Sequence, residues 1–238
     1  MPLLRPSGQA ARVTSTLVVL LPGAYSQPQE FIAEGYVGAL RAHGAPADVV
    51  IADAHLGYFR DRSVLRRLRE DVVAPARAQG YQRVWLVGIS LGGFGALAYA
   101  SLHGQDRRHG IDGVLAVAPY LGSPRLLAEL QAAGGPRAWA DADAAASAAP
   151  RPADEAGGQD AGERALWRWL ARPPTDAPPV YLGYGTEDRL ADGHRLLAGV
   201  LPPEHVATVP GGHDWPPWRA LWQQWLGRGL LDAPLHTR

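Results

Sequence analysis

The stretch that decides the fold lies near the middle of the chain, at residues 83–100, and reads RVWLVGISLGGFGALAYA. It begins with an apolar run typical of a buried strand, breaks at GISLG (88–92) and continues with the small-residue spacing of a helix. A serine between glycines at such a strand-to-helix turn is typical of a nucleophile elbow, whose serine stands clear of the sheet. An ordinary glycine-rich turn has the same local composition, so the choice depends on the rest of the chain.

Short apolar segments alternate with helical patterns along most of the sequence. Candidate helices occupy residues 29–42, the residues after Ser63, which is a candidate N-cap, and residues 91–103, which Gly104 ends. The candidate strands are rich in Val and Leu and apolar on both faces; they lie at 17–21, 48–52, 83–87, 114–118, 180–183 and 205–209. This alternation predicts an α/β fold with a mostly parallel central sheet flanked by helices.

One segment, about residues 121–178, departs from this alternation within what is otherwise a single predicted domain, residues 1–238. Its middle is rich in Ala, Asp, Gly and Pro, which is typical of a loosely packed loop. Apolar side chains flank that loop on both sides, among them Leu126, Trp139, Trp167 and Leu170. We interpret the segment as a helical insertion over one edge of the sheet. It is either a lid or wall of a substrate cleft or a surface excursion, and composition favours neither.

The bulk composition excludes several classes of chemistry. The 238-residue chain has 23 basic and 23 acidic side chains, so it has no electrostatic signature of a nucleic-acid partner. It contains no cysteine and no lysine, which excludes thiolate, Schiff-base and phosphate-loop lysine chemistry. No apolar run approaches the ~18 residues of a membrane span, and 17–21 is shorter than the ~7–15-residue core of a secretory signal. We therefore expect a cytoplasmic protein, with secretion left open, and the sequence does not indicate an oligomeric state.

A serine hydroxyl is a poor nucleophile at neutral pH and needs a base and a group that orients the base. The chain offers both after Ser90, at the ends of two later strands. The strand at 180–183 leads into GYGTEDRLADGH, which contains Asp188, and the strand at 205–209 leads into PGGHDWPPW, which contains His213. Three loops at one edge of the sheet thus carry a serine, an acid and a histidine in the chain order of this type of triad.

Other side chains compete for two of these roles. Glu187 and Asp192 are alternative acids, and we favour Asp188 because its short side chain at the loop apex suits the fixed reach to an imidazole. His55 also follows a strand end, in DAHLGYF, but His213 has the expected position in the chain. We interpret His55 as a residue of the substrate pocket or a structural hydrogen-bonding group.

Attack of a serine on a substrate carbonyl forms an oxyanion, which needs two backbone N–H donors. Leu91, the residue after the nucleophile, supplies one. The first strand ends in LPGAYS, where Ala24 is the first choice for the other donor and Tyr25 the next, because Pro22 has no N–H. The phenol of Tyr25 is alternatively a group of the pocket. Trp215 is the tryptophan of the last helix that we expect to contact substrate; the remaining three form a face packed on the sheet, at Trp218, Trp222 and Trp225.

At these residues the sequence resembles the α/β-hydrolase superfamily. More narrowly, GISLGGFGAL is similar to the elbow Gly-x-Ser-Met/Leu-Gly-Gly-x-Gly-Ala-Leu of the esterase-D and enterochelin-esterase-like group, and GGHDWPPW is similar to that group's histidine loop. The resemblance covers residues 16–120 and 179–227. It implies an α/β-hydrolase fold with the insertion after the sixth strand of that fold, and it implies Ser90 as nucleophile, Asp188 as acid and His213 as base.

We therefore expect a serine hydrolase that cleaves a carboxylic ester or thioester through an acyl-enzyme and needs no metal or organic cofactor. An acyltransferase with the same triad and a hydrolase-fold binding protein with an idle site are the alternatives. The apolar and aromatic flanks of the insertion favour a small-molecule substrate that carries an apolar or aromatic group. No particular substrate follows from the sequence.

Overall fold

The computed structural model describes residues 1–6, 14–104, 106, 108–147 and 161–232. Within them one seven-stranded sheet runs in the order β1-β3-β2-β4-β5-β6-β7. All neighbouring strands are parallel except β1, which pairs with β3 in the antiparallel direction. The strands are β1 (Leu3–Leu4), β2 (Thr16–Leu21), β3 (Ala47–Ala52), β4 (Arg83–Ile89), β5 (Gly113–Val117), β6 (Val180–Gly185) and β7 (Val206–Val209). The predicted mostly parallel α/β sheet is confirmed.

The continuous apolar runs form strands because both faces of the sheet are covered. Every residue of β2, β4 and β5 is buried. Alternate side chains of β2 point to opposite layers, so that Leu17 and Val19 belong to one apolar core and Val18 and Leu20 to the other. The two cores explain why these strands lack the polar alternation of a half-exposed sheet.

The helices divide between the two faces. Three of them, α1 (Glu30–Ala33), α2 (Tyr36–His43) and α11 (Trp215–Gly227), cover one core. The face opposite carries α3 (Leu56–Arg60), α4 (Val64–Arg67), a π-helical turn (Leu68–Val73), α5 (Ala74–Ala78), α6 (Leu91–His103), α7 (Pro124–Ala132), α8 (Pro136–Ser147), α9 (Ala161–Ala171) and α10 (Ala191–Ala198). A 3-10 turn (Pro203–His205) precedes β7. None of these helices combines the length and the apolar character needed to cross a bilayer.

Three local predictions differ from the structure. The predicted helix 29–42 is two helices, because Gly35 adopts a positive φ of 81° between α1 and α2. Ser63 does not cap α4; its N–H and hydroxyl both donate to Asp61, at 2.9 and 2.6 Å. The short strand β1 was not predicted, since its two residues are too few to form a recognisable alternation.

The segment between β5 and β6 forms α7, α8 and α9. It follows β5, the strand next after the one that leads into Ser90. Leu126, Leu166 and Trp167 are buried and join the core on the α6 side of the sheet. The indole N–H of Trp167 donates to the Leu121 carbonyl at 2.6 Å. The flanks of the segment are therefore part of the packed structure. The Ala-, Asp-, Gly- and Pro-rich middle was predicted to be a loosely packed loop, but residues 140–147 belong to α8 and residues 161–165 belong to α9. Residues 148–160 lie outside the described residues.

Candidate active site

Ser90 lies between β4 and α6 in a strained backbone conformation, with φ 54° and ψ −115°. Such a conformation costs a non-glycine residue about 1–3 kcal/mol and persists only where the surroundings enforce it. Its N–H donates to the Val117 carbonyl at 2.9 Å, and its own carbonyl accepts from Tyr120 N–H at 2.9 Å and Phe94 N–H at 3.2 Å. Hydrogen bonds from β5, the following loop and α6 thus hold the elbow.

The glycines of the elbow are required by close backbone contacts. A Cβ on Gly88 would lie 2.3 Å from the Gly92 carbonyl oxygen, and a Cβ on Gly92 would lie 2.3 Å from that of Leu21. At the next residue, a Cβ on Gly93 would lie 2.9 Å from the Cβ of Pro119. Only glycine therefore lets α6 begin this close to the carboxyl ends of β2 and β4.

His213, in the loop after β7, places its Nε2 atom 3.0 Å from Ser90 Oγ. Its Nδ1 atom lies 3.0 and 2.8 Å from the two carboxylate oxygens of Asp188. Because an ionised carboxylate only accepts hydrogen bonds, this geometry assigns the proton to Nδ1 and leaves Nε2 free to accept from the Ser90 hydroxyl. The three side chains form one hydrogen-bond chain from acid to serine.

The Asp188 side chain is completely buried. Burial alone raises the pKa of this carboxyl, but hydrogen bonds from His213 and from Leu190 N–H, the latter at 2.8 Å, outweigh it and leave the pKa below its ordinary value. Asp188 is therefore ionised at neutral pH. The neighbouring candidate Glu187 is exposed and makes no contact with the imidazole.

The loops that carry Asp188 and His213 are joined along their backbones. Thr186 N–H donates to the Val209 carbonyl at 2.8 Å, and Glu187 N–H donates to that of Gly211 at 3.0 Å. The two loops approach so closely that a Cβ on Gly185 would lie 2.2 Å from the Gly211 carbonyl oxygen. Acid and base are thus held as one unit against Ser90.

The candidate oxyanion donors lie around Ser90. Leu91 is the first residue of α6, so its N–H has no partner inside the helix. On the other side a Cβ on Gly23 would lie 3.4 Å from Ser90 Cβ, which puts Ala24 and Tyr25 beside the nucleophile. Among the described residues the N–H groups of Leu91, Ala24 and Tyr25 donate to no backbone carbonyl in a turn, loop or cap. All three backbone donors are therefore available to a ligand.

The side chains expected to form the substrate pocket lie elsewhere. His55 is exposed; its Nδ1 accepts from Gly57 N–H at 3.1 Å and caps α3, while its ring lies beside Tyr58. Trp215 packs edge-on against Phe31 at 5.6 Å between ring centroids. The Tyr25 side chain is 90% exposed. The hydrogen bond from Gly57 supports the structural alternative for His55. The assignment of His55, Trp215 and the Tyr25 phenol to the substrate pocket stays a prediction, and none of the three lines the cavity described below.

Trp218 is the tryptophan that contacts the candidate base. Its ring meets the His213 imidazole edge-on, with centroids 5.1 Å apart, and is buried. Sequence reasoning named Trp215 as the tryptophan that contacts substrate, because it follows His213 closely; its ring packs against Phe31, Tyr36 and Trp218. Residues three apart lie on one face of a helix. The helical period of α11 therefore indicated that Trp218 could contact the imidazole as well as Trp215.

A cavity of about 390 Å³ opens beside the elbow. Its walls come from α6, from the α3–α4 region, from Tyr120 and from the start of α9. Most of its lining is apolar, and Leu91, Phe94 and Leu166 are among the contributing residues. Sequence reasoning missed this cavity because its lining residues are spread over the chain from Phe59 to Leu166. Across the described part of the chain, no cluster of three or more potential metal-ligating side chains occurs.

Comparison with known proteins identifies the architecture. No protein-family model matches the sequence, and no curated protein does either. Among solved structures, S-formylglutathione hydrolase from Staphylococcus aureus aligns with 90% of this chain and 80% of its own, at 13% identity and a TM-score of 0.55. A ferulic acid esterase aligns over 91% of this chain and 84% of its own, at 16% identity and a TM-score of 0.56. A fluorophosphonate-binding serine hydrolase from Staphylococcus aureus aligns over 96% and 88%, at 13% identity and a TM-score of 0.55. The chain therefore has the α/β-hydrolase fold.

Proposed function

We propose that this protein is a serine hydrolase that cleaves a carboxylic ester or thioester of a small molecule through an acyl-enzyme. The observation that carries the proposal is the hydrogen-bond chain Asp188–His213–Ser90, which ends on a hydroxyl held in a strained strand-to-helix turn. A serine in an ordinary turn needs neither the imidazole nor the strain. The narrower relation to the esterase-D and enterochelin-esterase-like group is part of the same proposal, and the elbow GISLGGFGAL supports it.

In the first half of the proposed reaction, Ser90 Oγ attacks the substrate carbonyl carbon while His213 Nε2 takes the hydroxyl proton. The carbonyl electron pair moves onto oxygen. Collapse of this tetrahedral intermediate expels the alcohol or thiol, which leaves with the proton from His213, and the acyl group stays on Ser90. Asp188 stabilises the imidazolium throughout, because it is ionised and accepts from Nδ1.

In the second half, a water molecule attacks the acyl-enzyme and gives its proton to His213. Collapse of the second intermediate releases the carboxylic acid and returns the proton to Ser90 Oγ. In both halves the oxyanion is held by Leu91 N–H together with Ala24 or Tyr25 N–H, which are free and fixed beside Ser90.

The direct test is covalent labelling with a fluorophosphonate, which phosphonylates activated serines. We expect the wild-type protein to be labelled and Ser90→Ala and His213→Ala to be unlabelled. Hydrolysis of p-nitrophenyl acetate should fall on the order of 10⁶-fold in kcat in both variants, the scale of triad deletions. Ser15→Ala, which removes an exposed serine next to the start of β2, is the matched control. Labelling that persists in Ser90→Ala would exclude Ser90 as the nucleophile.

A further inference from the structure

We propose that the cavity between α6 and α9 binds the acyl half of the substrate, and that the substrate is an ester or thioester of an uncharged, elongated apolar acid. This inference rests on the proposed function. It adds which half of the substrate the cavity holds and what chemistry that half has.

The inner end of the cavity meets the nucleophile. Leu91 follows Ser90 directly, and Phe94 and Tyr120 both donate their N–H groups to the Ser90 carbonyl. All three residues line the cavity. From Leu91 the cavity follows one face of α6 as far as Leu102. At a rise of 1.5 Å per residue, the length of α6 between these two residues is about 16 Å. The space is therefore continuous with the elbow and elongated along the helix.

The position of the cavity relative to His213 selects the acyl half. The leaving group must lie next to His213 Nε2, because this atom gives it a proton. Among the described residues, those that line the cavity belong to the α3–α4 region, α6, Tyr120 and α9, and not to the loop that carries His213 or to α11. A group that extends from the carbonyl carbon into this cavity therefore points away from the leaving group and is the acyl chain.

The chemistry of the wall favours an uncharged chain. Most of the lining surface is apolar, and Phe59, Leu65 and Ala98 are among the residues that contribute to it. The carboxylate of Glu163 is already bonded, to the Tyr120 hydroxyl at 2.7 Å and to Ser123 N–H at 2.9 Å. It has no need of a ligand donor. Among the described residues, Arg62 is the other charged residue that lines the cavity, so the formal charges of the lining cancel, which favours an uncharged acyl group.

A series of p-nitrophenyl esters from acetate to octanoate tests the inference. We expect kcat/KM to rise by about fourfold for each methylene group that enters the cavity. Ala98→Phe, which fills the middle of the cavity, should lower the octanoate-to-acetate ratio of kcat/KM at least about tenfold. Ala128→Phe, on the exposed side of α7, is the matched control and should leave the ratio unchanged.

Each outcome separates this inference from the function on which it rests. Absence of both probe labelling and acetate hydrolysis would overturn the proposed function. Hydrolysis of acetate with a flat chain-length profile would overturn only the acyl site. Should Ala98→Phe fail to fold, Leu102→Glu replaces it, because Leu102 is 65% exposed at the outer end and tolerates a charge. An unchanged octanoate-to-acetate ratio in that variant would also contradict the inference.

A second inference comes from a different observation, a histidine buried behind the elbow. His194, in α10, has no exposed surface, and its Nε2 lies 2.9 Å from the Pro119 carbonyl oxygen. A carbonyl only accepts, so Nε2 carries the proton. Nδ1 has no hydrogen-bond partner among the described residues, and the ring lies beside Tyr184 at 4.9 Å. The hydrogen bond from Nε2 to Pro119 therefore anchors this buried imidazole.

That hydrogen bond begins a continuous series. The Pro119 carbonyl and the Tyr120 N–H are the two ends of one planar peptide group, and Tyr120 N–H donates to the Ser90 carbonyl at 2.9 Å. The Ser90 carbonyl and the Leu91 N–H are in turn the two ends of the next peptide group. Donors and acceptors therefore alternate in one direction from His194 to the candidate oxyanion donor, and each hydrogen bond polarises the next.

The geometry points to His194 as a positioning residue, which orients and polarises the Leu91 N–H through two peptide groups. It touches neither substrate nor triad atoms in this role. Because an oxyanion forms only in the transition state, the contribution appears in kcat rather than in KM.

The test compares two histidines with the same kinds of contact. His194→Phe keeps the ring and loses the N–H, and we expect kcat on p-nitrophenyl acetate to fall about threefold to tenfold with KM unchanged. Binding of a boronic acid, which mimics the tetrahedral adduct, should weaken by the same factor. His205 also bonds a carbonyl, that of Val180 at 3.1 Å, and lies beside Tyr181, but it is at the opposite end of β6.

His205→Phe should therefore leave kcat and boronic acid binding unchanged. His194→Gln retains an N–H donor and should recover part of the loss. Equal effects of the two phenylalanine variants, or a loss confined to KM, would contradict the role of His194. If neither variant loses boronic acid affinity, the series of hydrogen bonds has no catalytic effect, whereas the proposed function stands.

Discussion

At the scale of single residues, the candidate active site depends on glycines as much as on the proposed triad. Gly88 and Gly92 form the floor of the elbow, where backbone atoms of β2, β4 and α6 meet within a side chain's width. Glycine in a strand normally weakens it by the loss of packing and by chain entropy. At these positions the loss is accepted because any Cβ collides with backbone carbonyls, which do not move aside as a side chain would.

This contact makes a prediction about Gly88. Gly88→Ala places a methyl group 2.3 Å from the Gly92 carbonyl oxygen, and we expect it to lower the free energy of unfolding by about 3 kcal/mol or more. Gly38→Ala is the control, because a Cβ there, on the exposed side of α2, meets nothing within 4 Å. It should stabilise the protein by about 0.5–1 kcal/mol. Urea denaturation measures both, and equal midpoints would show that the elbow relaxes at no cost.

Sequence reasoning identified the residues whose place in the chain follows a rule of the fold. Ser90, Asp188 and His213 each follow a strand end in a fixed order, and the structure brings all three within hydrogen-bond distance. His194 and Trp218 had no such rule. Their roles depend on which side of a helix faces the sheet, and a contact with one carbonyl or one imidazole leaves no periodic trace in the chain.

At the scale of secondary structure elements, prediction succeeded where burial is uniform. β4 and β5 are buried along their whole length, so their apolar runs are uninterrupted. The break between α1 and α2 was missed because Gly35 is also compatible with a helix interior, and only its left-handed conformation ends α1. The cavity was missed because it forms only where α9 packs across α6.

The position of α9 depends on ion pairs with α8. The Asp143 side chain, 7% exposed, lies 3.2 Å from Arg164 and 2.5 Å from Arg168. Removing one partner of a buried pair leaves uncompensated charge, which is typically far more costly than losing an exposed pair. The ion pairs thus connect the wall of the proposed acyl site to the core.

We expect Asp143→Asn to lower the free energy of unfolding by about 2–4 kcal/mol and to reduce the octanoate-to-acetate ratio of kcat/KM. The same helix provides the control, because Asp141 bonds Arg172 at 2.8 Å while it is 60% exposed. Asp141→Asn should change stability by less than about 1 kcal/mol. Urea denaturation and ester kinetics measure the two effects. Equal losses in both variants would mean that burial of the Asp143 pair contributes nothing.

At the scale of the whole molecule, the function is concentrated at one edge of the sheet. The loops after β2, β4, β6 and β7 supply the candidate oxyanion donors, the nucleophile, the acid and the base. Parallel strands bring these loops together although up to 190 residues separate them in the chain. Two core layers hold the edge rigid, and the same burial places His194 in an environment that disfavours its charged form.

The stability of the molecule should therefore depend on pH through His194. The pKa of His194 is lowered from its ordinary 6.5 to about 4, and burial is the largest cause. The charge of nearby Asp188 raises this pKa, and the charge of His213 lowers it. Between these two values the unfolded chain binds a proton that the folded protein does not. The contribution of His194 to the free energy of unfolding is complete above its ordinary pKa and is lost as the pH falls toward 4. Asp188, whose pKa is depressed, acts in a separate window, because its contribution is lost only below its ordinary value of 3.8.

From this difference we expect the free energy of unfolding to fall by about 2 kcal/mol between pH 7 and pH 5 through His194 alone. His194→Phe removes the titrating group, so its stability should decline less over the same interval by about that amount. His205→Phe should retain the wild-type slope, since His194 is intact. Urea unfolding at several pH values measures the slopes. Parallel curves for wild type and His194→Phe would mean that the buried imidazole accepts a proton in the folded state as readily as in the unfolded chain. The hydrogen-bond series from His194 to Leu91 would then lack the neutral imidazole donor that it requires.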